Sequence, residues 1–404
     1  MSRTVQRIAI IGAITASIMA YLWHTPNSEG IEQLNRIRAL TASMKITYWI
    51  GRTAEVFGIS DRISVVRKVS GLTRHLKDSK DDDGLHIENT LIENIPVRIA
   101  RPKNSNENLP AIVFFHGGAF YMGSVDTHNS LTSGLARLAN VVVISVDYRL
   151  APENPFPAGV DDCYTVTKHI LEHGSSVKYR IDTNRVAIAG DSAGGNFAAV
   201  IAMRFANNPV SEYKPRLQIL IYPVLQLVDM MLPSYMGNHY EFFRYTVDHT
   251  LTNYFNKPID KSVYANNHLS VQQKKQYRKY VDWTLIPSKY RTVYKRPLTD
   301  DKEGDPELIE NAKQVLNPEV SPLLVDDEQL AKLPSTYIVS VGHDRLRDEA
   351  FIYEGRLKRT GVSVVHNHYE NIFHGSIGFI NGPFALDISQ RMVDDVVKYI
   401  KENL

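Results

Sequence analysis

The chain of 404 residues has a single cysteine, Cys163. An intramolecular disulfide and a cysteine-based zinc site are therefore both excluded. One cysteine fits a reducing compartment but does not exclude an oxidising one. An excess of charge of one sign is also lacking: 46 Lys and Arg oppose 44 Asp and Glu, a formal net charge of +2. No dense basic run interleaved with aromatics stands out, so nothing points to nucleic acid as a partner. The longest charged run, Lys77 to Asp83, mixes signs and reads as a solvated loop. There is no H-E-x-x-H, no P-loop and no G-x-G-x-x-G after a strand, and neither a metal nor a cofactor is called for. No Asn-x-Ser/Thr sequon occurs, so N-glycosylation is not expected.

What is present begins at the N-terminus. Ile8 to Trp23, "IAIIGAITASIMAYLW", carries no charge, and Arg3 and Arg7 precede it. Sixteen helical residues span about 24 Å, and starting from Val5 brings the length to the roughly 27 Å core of the endoplasmic reticulum bilayer. The run reads as an uncleaved membrane anchor over residues 1–25. A cleaved signal peptide and a buried helix are the other readings, but "YLWH" is a bulky exit with no small-x-small cleavage site. Residues 31–57 then space Ile31, Leu34, Ile37, Leu40, Met44 and Tyr48 three or four apart, an amphipathic helix. It reads as packed on the domain or as a membrane-facing cap. A polar stretch from Lys77 to Gly84 suggests a boundary, which makes 26–84 a cap region of helices.

From residue 85 the pattern becomes short apolar runs alternating with helix-length segments. "LHIENTLI" and "PVRIARP" read as an antiparallel pair at a sheet edge. "AIVFF" (111–115), "VVVISVDY" (141–148), "VAIAG" (186–190), "LQILIYPV" (217–224), "TYIVSVG" (336–342) and "VSVVHNHY" (362–369) follow. Near-continuous β-branched runs mark strands buried on both faces, as in a parallel sheet. One helix between most of them gives a doubly wound α/β domain over 85–404. The stretch from 225 to 335 is too long for one crossover and reads as a cap insertion, about 226–332.

"GDSAGG" (190–195) lies between the strand "RVAIA" and a helix. Gly190-Asp191-Ser192-Ala193-Gly194 thus fits G-x-S-x-G at a strand-to-helix turn, a nucleophile elbow. "HGGAF" (116–120) follows the strand "AIVFF", where glycines allow backbone N–H groups to be aimed at the serine. Such donors stabilise the oxyanion of acyl transfer by about 3–4 kcal/mol each; the expected donors are Gly117, Gly118 and Ala193. A serine also needs a base and an orienting acid. Asp344 ends "TYIVSVGHD", His374 lies in "ENIFHGS", and the order Ser192, Asp344, His374 is that of an α/β-hydrolase. Asp348, one helical turn on, is the rival acid. His116 and His343 read as structural, and His366 and His368 as packing on a sheet face.

HGGAF, "DYRLAPE" (147–153), GDSAGGN, "HDRLRDE" and "FHG" together resemble the hormone-sensitive-lipase-like branch of the α/β-hydrolases. The likeness extends to the arylacetamide deacetylase and neutral cholesterol ester hydrolase group, through "LIYPVLQLVDMMLPSY", "VDWTLIP", "VSPLLVDDEQLAKLP" and the N-terminal apolar segment. The resemblance implies Ser192 as nucleophile, Asp344 as acid and His374 as base. It also implies a type II protein of the endoplasmic reticulum membrane, catalytic domain luminal, with lipid esters or aromatic amides as substrates. Two residues depart from the pattern: Ala119 replaces the third glycine of HGGG, and Phe120 replaces tryptophan. The sequence leaves ester and amide preference unseparated. The reading from another class is a silent lipid or small-ligand binder on a hydrolase scaffold. The cap insertion and the apolar 31–57 helix lead us to expect apolar acyl groups of short to medium length, or bulky ones, over charged substrates.

Overall fold

The computed structural model describes the backbone except at residues 1–2, 26–29, 73–83, 104–106, 209–212, 238–248 and 295–300; the side chains of 3–12 and 70–72 are also outside the described residues. Among the described residues, eight strands form one sheet in the order β1-β2-β4-β3-β5-β6-β7-β8. β1 (Leu85–Ile92) and β2 (Ile95–Pro102) are the expected antiparallel edge pair, and β2 also runs antiparallel to β4 (Val142–Val146). All other neighbours are parallel: β3 (Leu109–Phe115), β5 (Ile181–Asp191), β6 (Leu217–Ile221), β7 (Ser335–His343) and β8 (Val364–Phe373).

The continuous apolar runs have their expected cause, since the sheet is covered on both faces. Side chains alternate across a strand, so Val113 and Phe115 join a core with Phe197 and Val200, while Ile112 and Phe114 join the opposite core with Leu135 and Met392. The helices α4 (Asn129–Ala139), α5 (Ala158–His173) and α6 (Ala193–Ala206) supply much of that cover, with Arg347–Arg359 and Asp387–Asn403. One strand is shorter than its apolar run. β6 ends at Ile221 because Tyr222 turns to φ 35 and Pro223 has no N–H to give a ladder.

Before the sheet come α1 (Arg3–Trp23), α2 (Leu34–Val56) and α3 (Arg62–Leu72), the last not anticipated from periodicity. α2 buries Ile37 and Leu40 of the expected stripe, together with Lys45. The Lys45 ammonium donates to the Tyr21 and His24 carbonyls, both at 2.8 Å, closing the C-terminal end of α1. Arg391–Glu32 at 2.9 Å and Arg67–Glu153 at 2.7 Å tie α2's leader and α3 to the sheet domain. Among the described residues no helix is long and apolar enough to cross a membrane. The side chains that open the apolar run, residues 8–12, are outside the described residues, as is most of the polar stretch read as a boundary.

The described residues between β6 and β7 include short helices, among them Thr250–Phe255, Val271–Tyr277 and Pro306–Ala312. Their starts are written in the sequence: Ser270 and Gln273 make a capping box, and Asp305 caps Leu308 N at 2.9 Å. The insertion is pinned above the sheet by Tyr254, stacked on Phe120 with centroids 3.9 Å apart.

Candidate active site

Ser192 occupies the turn between β5 and α6 with φ 55 and ψ −117, a conformation costly for any residue with a Cβ. The turn holds because its flanks are glycines. A Cβ at Gly194 would overlap the Phe115 carbonyl, and one at Gly190 the Gly194 carbonyl. The geometry presents the hydroxyl above the carboxyl ends of the strands, where ligands reach such sheets.

β7 delivers Asp344 and β8 delivers His374. The β7–β8 register shifts between Val341 and His343, so that His343 pairs with Phe373 and the next residue of each strand meets the other. His374 Nδ1 lies 2.8 Å from Asp344 Oδ2, and His374 Nε2 lies 2.8 Å from Ser192 Oγ. A carboxylate only accepts, so Nδ1 carries the proton and Nε2 is left to accept from the serine hydroxyl. Asp344 is buried, and its other oxygen accepts the Leu346 N–H at 2.9 Å. The structure therefore brings together the three residues read from the sequence.

The rivals are engaged elsewhere. Asp348 accepts from Ser234 N at 2.7 Å and from Arg347 Nε at 2.9 Å. His366 and His368 both meet Ser340 Oγ, at 2.7 and 2.8 Å, on β8. His116 stacks on Tyr148 with centroids 4.2 Å apart, and its pKa is pushed down to about 3, by burial first and then by His128. A ring held neutral in that way packs the loop and does not serve as a base for Ser192.

The loop after β3 differs from expectation at one donor. Gly117 N–H donates to Asp191 Oδ1 at 2.8 Å, so it is occupied and not open to a substrate oxygen. Asp191 is buried directly before Ser192 and also meets His128 Nε2 at 3.2 Å. Burial is the largest single influence and would raise its pKa, but His128, the Gly117 N–H and His116 together hold the carboxyl below its ordinary value. Within the described chain no hydrogen bond engages the N–H groups of Gly118, Ala119 or Ala193. Ala119 sits at φ 53, so the methyl replacing glycine does adopt the strained left-handed conformation.

A cavity opens at Ser192, walled by Phe120, Leu227, Met230 and Val263 among others. Its mostly apolar lining suits an apolar organic group. Among the described residues no group of three or more His, Cys, Asp or Glu side chains is arranged to hold a metal ion.

Several supporting residues escaped the sequence reading. Asn196 Nδ2 donates to the Val224 and Val320 carbonyls at 2.9 and 2.8 Å, bracketing the cap insertion. Glu349, fully buried, accepts from Leu225 N at 2.7 Å and from the Tyr235 hydroxyl at 2.8 Å. The one available signal was a lone polar residue in an apolar helical run, as in "GGNFAAVIAM".

Comparison with known proteins agrees with this geometry. A family model described as the alpha/beta hydrolase fold matches residues 112–281 and 289–378, and one described as the carboxylesterase family matches 69–153. Arylacetamide deacetylase of Bos taurus is 32% identical over 405 residues, covering 98% of each chain. Neutral cholesterol ester hydrolase 1 of Rattus norvegicus is 30% identical, covering 98% of this chain and 99% of that one. Of solved structures, a hyperthermophilic esterase from the archaeon Pyrobaculum calidifontis is 28% identical with a TM-score of 0.63, covering 84% of this chain and 91% of its own. The chain belongs to the α/β-hydrolase family and, within it, to the group of arylacetamide deacetylase and neutral cholesterol ester hydrolase.

Proposed function

We propose that this hydrolase of ester or amide bonds works through an acyl-enzyme on Ser192, with apolar substrates. His374 Nε2 takes the hydroxyl proton as Ser192 Oγ attacks the acyl carbon. Asp344 keeps the imidazole in the required tautomer and stabilises the imidazolium. The N–H groups of Gly118, Ala119 and Ala193 face the charge that develops on the carbonyl oxygen. His374 then protonates the leaving alcohol or amine, and water repeats the steps on the acyl-enzyme, freeing the acid and Ser192. The observation that carries this reading is the unbroken chain from Ser192 Oγ through His374 to Asp344, two 2.8 Å contacts at the base of an apolar cavity. The names of the relatives support lipid esters and arylacetamides as the substrate class. A panel of 4-nitrophenyl esters and matched anilides tests it. Hydrolysis of apolar members, lost in Ser192→Ala with an unchanged melting temperature, is expected; hydrolysis retained in that variant would place the chemistry elsewhere.

We also propose that the N-terminal segment anchors the protein in the endoplasmic reticulum membrane, with the catalytic domain luminal. The uncharged run behind Arg3 and Arg7 supports this, since cationic flanks stay cytosolic. So do the exposed Ile14, Ile18, Met19 and Trp23 of α1, beside the exposed Ile46, Trp49 and Ile50 of α2.

A further inference from the structure

Arg345 directly follows Asp344, and its side chain lines the cavity at Ser192. Among the described lining residues it is the one cation. Nearby arginines are paired: Arg347 with Asp348 at 2.9 Å and Arg356 with Asp327 at 2.7 Å. Arg345 forms no ion pair with any described carboxylate, and its Nε is buried without a hydrogen-bond partner. Asp260, the acid in the same lining, is exposed and turned to its own helix start, where Oδ1 accepts from Ser262 N at 2.7 Å and from Ser262 Oγ. The two oxygens of Asp344 are taken by His374 and Leu346 N. What does meet the guanidinium is the Tyr264 ring, 5.4 Å from its Cζ. The backbone of Arg345 is held as well, its carbonyl accepting from Ser234 Oγ at 2.5 Å.

A buried N–H left unpaired costs free energy, and natural structures rarely keep one without a use. Here a charged residue lines a mostly apolar cavity with one donor unspent. An anionic oxygen brought in by the substrate satisfies that donor and neutralises the charge together. Guanidinium and carboxylate match in plane and spacing, which makes the carboxylate the best-fitting group. The rest of the described wall is mostly apolar, with Phe120, Leu227, Met230 and Val263. Beside Ser192, only Thr250, Thr252, the tyrosines and the turned-away Asp260 interrupt it, so the carboxylate is best carried at the end of an apolar chain.

We propose that Arg345 is a specificity residue, and that the cavity accepts esters whose apolar acyl chain ends in a carboxylate, that is, half-esters of dicarboxylic acids. This rests on the reading of Ser192 as nucleophile. It also narrows the expected preference for uncharged substrates: one terminal anion is welcome, at the place Arg345 marks. The bond cleaved is still the ester, and the terminal carboxylate only binds.

The test uses 4-nitrophenyl half-esters of succinic, glutaric and adipic acid, each beside its methyl-capped diester, with 4-nitrophenyl pentanoate as the neutral reference. Charge-assisted hydrogen bonds lead us to expect at least one half-ester to exceed its capped partner roughly tenfold or more in kcat/KM, chiefly through KM. In Arg345→Met that ratio should collapse to about one, and Arg345→Lys should recover part of it. Half-esters no better than capped partners at every length would overturn the proposal, as would a ratio unchanged in Arg345→Met. The wild-type comparison decides alone if the variant does not fold. Failure to hydrolyse any of these esters, pentanoate included, would instead remove the Ser192 reading itself and this proposal with it.

Discussion

At the scale of single residues, the site is defined by which partner each polar atom has. Asp344 and Asp348 stand one helical turn apart in the sequence, yet only Asp344 reaches His374, and Asp348 is spent on Ser234 N and Arg347. Asp344→Asn should therefore lower kcat by roughly 10³- to 10⁴-fold with little loss of stability, because asparagine favours the wrong imidazole tautomer. Asp348→Asn should do the reverse, breaking a buried pair at about 3 kcal/mol while the folded fraction keeps most of its turnover. Kinetics and thermal melts of the two variants check this, and an inverted ranking would move the orienting acid to Asp348. Ala119 gives a subtler case. Its φ of 53 stores strain that glycine would not feel, of about 1 kcal/mol, but glycine loses a similar amount in the unfolded chain. Ala119→Gly is expected to leave the melting temperature and kcat/KM nearly unchanged. A tenfold loss of kcat/KM would show that the methyl group itself contributes to the site.

At the scale of elements, the residues of the site are carried by strand ends, and those ends were largely legible. Runs such as "AIVFF" and "VAIAG" are β-branched because both faces of the sheet are covered, and that cause acts locally on the sequence. Chain order and the turn after each strand were enough to pair Ser192 with His374. What could not be read were contacts that depend on distant segments. Gly117 looked like an open donor, since nothing nearby in sequence shows that Asp191, 74 residues on, takes its N–H. The bridges from Asn196 and Glu349 to the strand-to-cap connection were hidden for the same reason. Glu349 also yields a pH prediction. Burial raises its pKa from 4.5 to about 8, against the opposing hydrogen bonds from Leu225 and Tyr235. A carboxyl whose pKa is higher folded than unfolded contributes stability that is complete below the unfolded value and is lost as pH rises through the folded one. Thermal melts should thus fall as pH rises from about 4.5 to about 8, and Glu349→Gln should flatten that decline. A decline of equal slope in the variant would mean that other groups cause it.

At the scale of the whole molecule, the sheet domain and the insertion between β6 and β7 wall one cavity, and the N-terminal helices are tied to the sheet domain through Arg391–Glu32 and Arg67–Glu153. The topology proposal is testable on the full chain because it has no native sequon. Asp81→Asn with Asp83→Thr introduces one in the polar stretch before β1. A mobility shift reversed by an endoglycosidase, with the protein retained in the membrane pellet after alkaline extraction, is the expected result. Membrane retention without glycosylation, at a site shown to be accessible, would place the catalytic domain in the cytosol, and release by alkali would mean a cleaved signal peptide. Beneath all of this stands the assignment of Ser192 as the atom that becomes acylated. A fluorophosphonate probe followed by peptide mass mapping tests that directly. The adduct should lie on the peptide containing Ser192, block ester hydrolysis in proportion to labelling, and vanish in Ser192→Ala. An adduct on any other residue, or labelling that survives in Ser192→Ala, would contradict it.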